Sequence, residues 1–264
     1  MMATYLELIR IRFLVMLAYR VNFYSGILTY LIYTGGYYFF WMAAYGSRES
    51  LGGLSPTEMT TYLAVGWMAR AFYFNHLDRE IADEIRDGTV AVQLLRPVSY
   101  LGQRVAGALG EALFRLLFFS VPGLTLAALL FPVRLPTDPK VWVAYLAALA
   151  LAFVLNAQIN LLVGLAAVWS TRIQGLTWAR RLVVDLLSGL YLPLSFYPAW
   201  ARAVLEWLPF PAISYVPSLI AAGGLWGRPL VLALVRGLVW AAVLAALVRL
   251  VWRRAARALT VHGG

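Results

Sequence analysis

Long apolar runs separated by short polar breaks dominate the chain. Runs at residues 23–45, 57–77, 101–131, 141–170, 182–197 and 229–252 approach or exceed the ~20 residues a helix needs to cross a bilayer. The pattern predicts an all-α polytopic membrane protein, one domain over residues 1–264, with six transmembrane helices. Ahead of the first run, Glu7, Arg10 and Arg12 alternate with Leu6, Ile9, Phe13 and Leu14. That mixture predicts an interfacial helix on the cytoplasmic side within residues 1–22, with Arg20 and Asn22 marking the start of the first span. Tyr30, Tyr33 and Tyr37 share one face of that span. They suit either helix packing and an aromatic belt or contact with a partner or amphiphilic substrate. Residues 198–228 hold two apolar pieces too short to span, broken by Pro209, Pro211 and Pro217 and then by Gly223 and Gly224. They predict an outer re-entrant or interfacial hairpin.

One polar stretch breaks the apolar pattern. Residues 78–100 follow the second run, and five of the chain's twelve acids, Asp78, Glu80, Asp83, Glu84 and Asp87, sit in its first ten positions. Leu77, Ile81 and Ile85 recur every four residues, so an apolar stripe runs along a polar helix. Gly88 is placed for a C-cap, and Pro97 blocks helical continuation. Two readings stand: a docking face for another protein, or a solvated connector. In the docking reading the stripe is too short to bury itself in the bundle, so Ile81 and Ile85 enter a partner's groove with Glu84 near the contact centre.

Charge decides the orientation. Arg and Lys number fourteen on the proposed inner segments and five on the outer ones. The excess puts both termini in the cytoplasm and requires an even number of spans. The net charge of +10 is thereby accounted for at span ends, without nucleic acid. The absence of cysteine excludes disulfides and thiolate chemistry.

Ionisable groups within spans are functional hypotheses by default. Glu111 and Arg115 stand at i, i+4 on the third span; Arg70 lies in the second, Asp185 in the fifth, Arg236 in the sixth, and Asn156, Gln158 and Asn160 in the fourth. Either they tie helices together or they line a polar part of a conduit. His76 and His262 have no second ligand at metal spacing, and no catalytic or phosphate-binding loop is present. Energy for any work the chain does must therefore come from a partner or an ion gradient.

Three stretches carry a family likeness: residues 19–23 (YRVNF); residues 84–89 (EIRDGT) with 95–99 (LRPVS); and residues 188–198 (SGLYLPLSFYP) continuing to Leu208-Pro209-Phe210. With the span pattern, they resemble type-2 ATP-binding-cassette transporter permeases, most closely the bacterial daunorubicin-exporter-like subfamily. The resemblance implies a plasma-membrane exporter subunit paired with a second permease, identical or related, and with two cytoplasmic ATP-binding subunits that hold ATP and Mg. It also implies a coupling helix within residues 78–95, engaging the ATPase through Asp78, Ile81, Glu84, Ile85, Asp87 and Gly88. A membrane-embedded transferase acting on lipid-linked substrates and a non-transporting scaffold or sensor subunit are the rival readings.

Overall fold

The computed structural model describes residues 2–18, 21–170 and 173–262, so Tyr19, Arg20 and Arg172, and the side chain of Asn22, lie outside the described residues. The chain is built from helices: α1 (Met2–Ala18), α2 (Val21–Tyr45), α3 (Pro56–Tyr73), α4 (Leu77–Arg86), α5 (Val90–Leu94) and α6 (Tyr100–Arg115). A π-helical turn at Leu116–Ser120 joins α6 to α7 (Val121–Leu130). Then come α8 (Pro139–Leu165), α9 (Gln174–Leu187), α10 (Ala199–Leu205), α11 (Tyr215–Ala221) and α12 (Arg228–His262). No strand occurs among the described residues; a single β-bridge pairs Leu51 with Leu54.

Local chemistry sets the helix starts. Ser55 caps α3 by accepting from Glu58 N, while Ser55 N donates to the Glu58 carboxylate at 2.7 Å, and Pro56 fills the first helical position. Asp138 accepts from Lys140 N at 2.8 Å ahead of Pro139 to open α8. Three helical stretches are long and apolar enough to cross a membrane: Tyr100–Leu130, Pro139–Val168 and Arg228–Leu259.

The core lies where α3, α8 and α11 meet. α3 is buried from Met59 to Tyr73, and α11 buries Val216, Ser218, Leu219 and Ile220 beside it. Gly66 permits this approach, since a Cβ there would stand 2.9 Å from Ser218 Oγ. α1 lies along α6, where a Cβ on Gly110 would stand 2.3 Å from the carbonyl oxygen of Ile9.

The expected fifth span differs from what the chain does. The apolar run at 182–197 predicts one helix, and residues 171–181 a basic loop. Instead α9 starts at Gln174 and stops at Leu187. Gly189 takes φ +82°, with Leu194 Cδ1, Tyr215 Cβ and the Tyr62 hydroxyl all within about 3 Å of where its Cβ would be. Tyr62 Oη donates to Gly189 O at 2.5 Å and closes the turn. Fourteen residues rise ~21 Å, short of a ~30 Å hydrocarbon core. α12 departs the other way, continuing helically through the expected basic tail to His262.

Candidate functional site

The acidic segment folds as the amphipathic α4, but its stripe is not free. Leu77 and Ile81 are 1% and 0% exposed and belong to the main core. The expectation that the stripe is too short to be buried by the bundle is therefore corrected. Gly164 of α8 supplies the missing surface: a Cβ there would lie 3.0 Å from both the Asp78 carbonyl oxygen and Ile81 Cβ. Ile85 is half-buried and packs against the same core.

Charges lock the inner face further. Asp78, fully buried, pairs with Arg180 of α9 at 3.0 Å. Glu84 accepts from Tyr100 Oη at 2.6 Å and pairs with Arg104 of α6 at 2.7 Å. Glu80 pairs with Arg12 of α1 at 2.9 Å, and Arg12 also reaches Glu111 at 3.0 Å. Burial pushes the Glu80 carboxyl above its usual range, against the opposing pull of Arg12. Burial also works against the Arg12 charge, but its bonds to Glu111 and Glu80 outweigh it and raise the guanidinium above its ordinary value. α4 is thus tied to α1, α6, α8 and α9. Its opposite face shows Arg79, Asp83, Arg86 and Asp87 to solvent, and Gly88 (φ +73°) turns the chain into α5. On α5 and just beyond it, Val92 and Leu95 are 62% and 85% exposed.

Six of the polar residues expected within spans, Arg70, Glu111, Arg115, Asn156, Asn160 and Asp185, fall into two clusters. The first surrounds the break between α3 and α4, whose carbonyls leave the helical ladder inside the bundle and need other donors. Asn156 Nδ2 donates to Tyr73 O at 2.8 Å, and Asn160 Nδ2 donates to Asn75 Oδ1 at 2.6 Å and to Asn75 O at 3.2 Å. Arg115 donates to Phe74 O at 3.1 Å and is also bonded to Glu111 one turn back on its own helix. Glu111 is thus shared between Arg115 and Arg12. Asn75 belongs to this cluster and did not stand out in the sequence. The signal available was an amide between the apolar run and the acidic helix, which here accepts from Leu77 N.

The second cluster joins α3 to α9. Arg70 meets Asp185 through two bonds, Nη2–Oδ2 at 2.7 Å and Nε–Oδ1 at 3.2 Å, with side chains 4% and 5% exposed. Arg70 also donates to Tyr30 Oη at 3.0 Å and lies 4.5 Å from the centre of the Phe74 ring. Tyr191 Oη donates to Asp185 at 3.3 Å. Above this pair, Tyr30, Tyr33 and Tyr37 all contact the Trp67 ring, Tyr33 stacked at 4.9 Å. Arg236 stands apart from both clusters, bonded to Glu206 O and over the Trp207 ring.

No group of three or more His, Asp or Glu side chains that could hold a metal ion occurs among the described residues. The arrangement supplies a rigid helical bundle with a short charged helix anchored along one side. No curated protein matches the chain. A family model described as ABC-2 family transporter protein matches residues 31–263, without singling out the daunorubicin-exporter-like subfamily, and the chain belongs to that transporter family.

Proposed function

We propose that this chain is the membrane subunit of an ATP-driven exporter and that α4 receives the force of ATP-dependent closure from separate ATP-binding subunits. The observation that carries the reading is the two-sidedness of α4. Leu77, Asp78 and Ile81 fix it to the bundle, while Arg79, Asp83, Arg86 and Asp87 face outward. A helix so held passes a push to α1, α6, α8 and α9 together. Its charged outer face suits encounter and register with a partner, and the exposed Val92 and Leu95 beside it suit anchoring.

In this reading the six passes are α2, α3, α6 with α7, α8, α9 and α12. α9 crosses together with the segment that follows Ser188, residues 198–228 form the outer hairpin, and both termini are cytoplasmic. A second copy or a related permease completes the path, lined by α3 and α9, and two ATP-binding subunits supply ATP and Mg. The fourteen-to-five distribution of basic residues supports the orientation.

The test is co-purification of the ATP-binding subunit that this reading requires. Asp83→Arg with Arg86→Glu should leave the permease monodisperse and in the membrane but release the ATPase. Val92→Asp with Leu95→Asp should do the same. Retention of the ATPase by both variants, with transport intact, contradicts the assignment.

A further inference from the structure

A groove of about 380 Å³ opens between α6, α8 and α12. Its floor is apolar, formed by Val105, Phe153, Leu161 and Val248. One end is closed by Trp252, whose ring stacks on Tyr100 at 5.2 Å. At that end Arg249 and Arg253 line the groove one helical turn apart, a rise of ~6 Å.

These two exposed arginines differ from four that the bundle buries or half-buries. Arg70, Arg104, Arg115 and Arg180 each have a carboxylate of this chain. Arg249 and Arg253 are exposed and have no hydrogen-bond or ion-pair partner among the described residues. The described residues supply them no counter-charge, which leaves both free to take an anion from outside. Within a second copy, Asp78, Glu80, Glu84, Glu111 and Asp185 are already paired in the bundle, and the exposed Asp83 and Asp87 share Arg86. The groove opens beside the outward face of α12, which shows Val235, Leu238, Val239, Val243 and Leu247 along a span-length helix. That face lies in lipid, and the basic end of α12 belongs to the cytoplasmic leaflet, where anionic headgroups concentrate.

We propose that this groove holds one anionic phospholipid of the cytoplasmic leaflet, with its phosphate bridging Arg249 and Arg253 and one acyl chain along Val105, Phe153 and Val248. The volume lies at the small end of the ~300–1,000 Å³ range of ligand pockets and suits a single chain better than a bulky amphiphile. From the coupling assignment this proposal borrows only the orientation of α12. Loss of ATPase docking would leave it standing.

The test is native mass spectrometry of the full-length permease, exchanged from nanodiscs containing equal phosphatidylglycerol and phosphatidylcholine. The wild type should keep one phosphatidylglycerol per chain and no phosphatidylcholine. Arg249→Ala with Arg253→Ala should lose that adduct by about 30-fold, given ~1 kcal/mol for each basic group near an anionic surface. Arg249→Lys with Arg253→Lys should keep most of it. Arg254→Ala removes an exposed cation outside the groove lining and should leave the adduct unchanged. Millimolar inorganic phosphate should not displace the lipid, because the chain contributes to binding. Equal retention of phosphatidylcholine overturns the proposal. So does equal loss in Arg254→Ala, displacement by phosphate alone, or an unaffected double alanine variant. Circular dichroism and gel filtration on each variant confirm that a lost adduct is not a lost fold.

Discussion

Replacing Asp185 by leucine tests the inner architecture most sharply. The change leaves the Arg70 guanidinium 4% exposed and without its carboxylate. Tyr30 Oη and the Phe74 ring remain beside Arg70, but neither carries the opposite charge. Two unit charges 4 Å apart attract by ~4 kcal/mol at an effective dielectric of 20. Breaking a buried pair by removing one partner costs about 3–5 kcal/mol, because the survivor stays desolvated. The reverse change, Arg70→Met, should cost less. Asp185 would keep Arg181 at 3.8 Å and the Tyr191 hydroxyl at 3.3 Å. The double variant, Arg70→Met with Asp185→Leu, should regain most of the loss, since it strands no charge. Thermal denaturation of detergent-purified protein, followed by the monodisperse fraction on gel filtration, reads the difference. At ~2–4 °C per kcal/mol for a chain of this size class, Asp185→Leu should melt roughly 6–20 °C below wild type. Three results refute the reasoning: a double variant melting as low as Asp185→Leu, an Asp185→Leu protein melting with the wild type, or Arg70→Met proving the more damaging single change.

The remaining predictions concern the attachment of α1, α4 and the break before it. Glu80 holds its proton more tightly when folded, so its contribution to stability is present in acid and is lost as pH rises through the raised value. Glu80→Gln should therefore remove this fall in stability between the usual carboxylate range and the raised value, and an unchanged profile there would contradict the assigned cause. Gly164→Leu must displace the backbone at Asp78, at a cost of about 1–3 kcal/mol. It should lower ATPase coupling while the ATPase still binds, and normal coupling would oppose the anchoring described. Gly110→Val should lift α1 from α6, because the nearest obstacle is the Ile9 carbonyl, and protease access to the α1 backbone should rise. Asn160→Leu leaves Asn75 O and Oδ1 without their shared donor, at about 1–3 kcal/mol. Its melting temperature should fall further than that of Gln158→Leu, a half-buried residue whose side chain donates to Ala241 O at 3.0 Å.

Much of the fold could be read locally. Ser55, Pro56 and Glu58 announce the start of α3, Asp138 and Pro139 that of α8, and the Leu77–Ile81–Ile85 spacing gives α4 its helix and its stripe. Glu111 and Arg115 likewise pair at the spacing that suggested it. What the stripe covers is a different kind of information. The flat surface beneath Ile81 is Gly164, eighty-three positions away, and periodicity within α4 says nothing about it. The same holds for Arg12, which enters the Glu111 pair from ninety-nine positions upstream. The fifth run failed for another reason. Leucines continue past Ser188, but Gly189 takes a left-handed turn held by Tyr62, a tertiary contact that overrides local apolarity. The amides of α8 were visible as residues, but their purpose was not. They serve a helix break whose position depends on the whole bundle.

Site-specific photocrosslinking tests the central claim most directly. A benzoylphenylalanine placed at Asp83, Arg86 or Val92, all exposed, should on irradiation attach this chain to its ATP-binding subunit in assembled, ATP-hydrolysing complexes. The same group at Trp207, 70% exposed and assigned to the outer hairpin, should give no such adduct. An active complex with no ATPase adduct from any of the three α4–α5 positions, or with one from Trp207, would contradict the account.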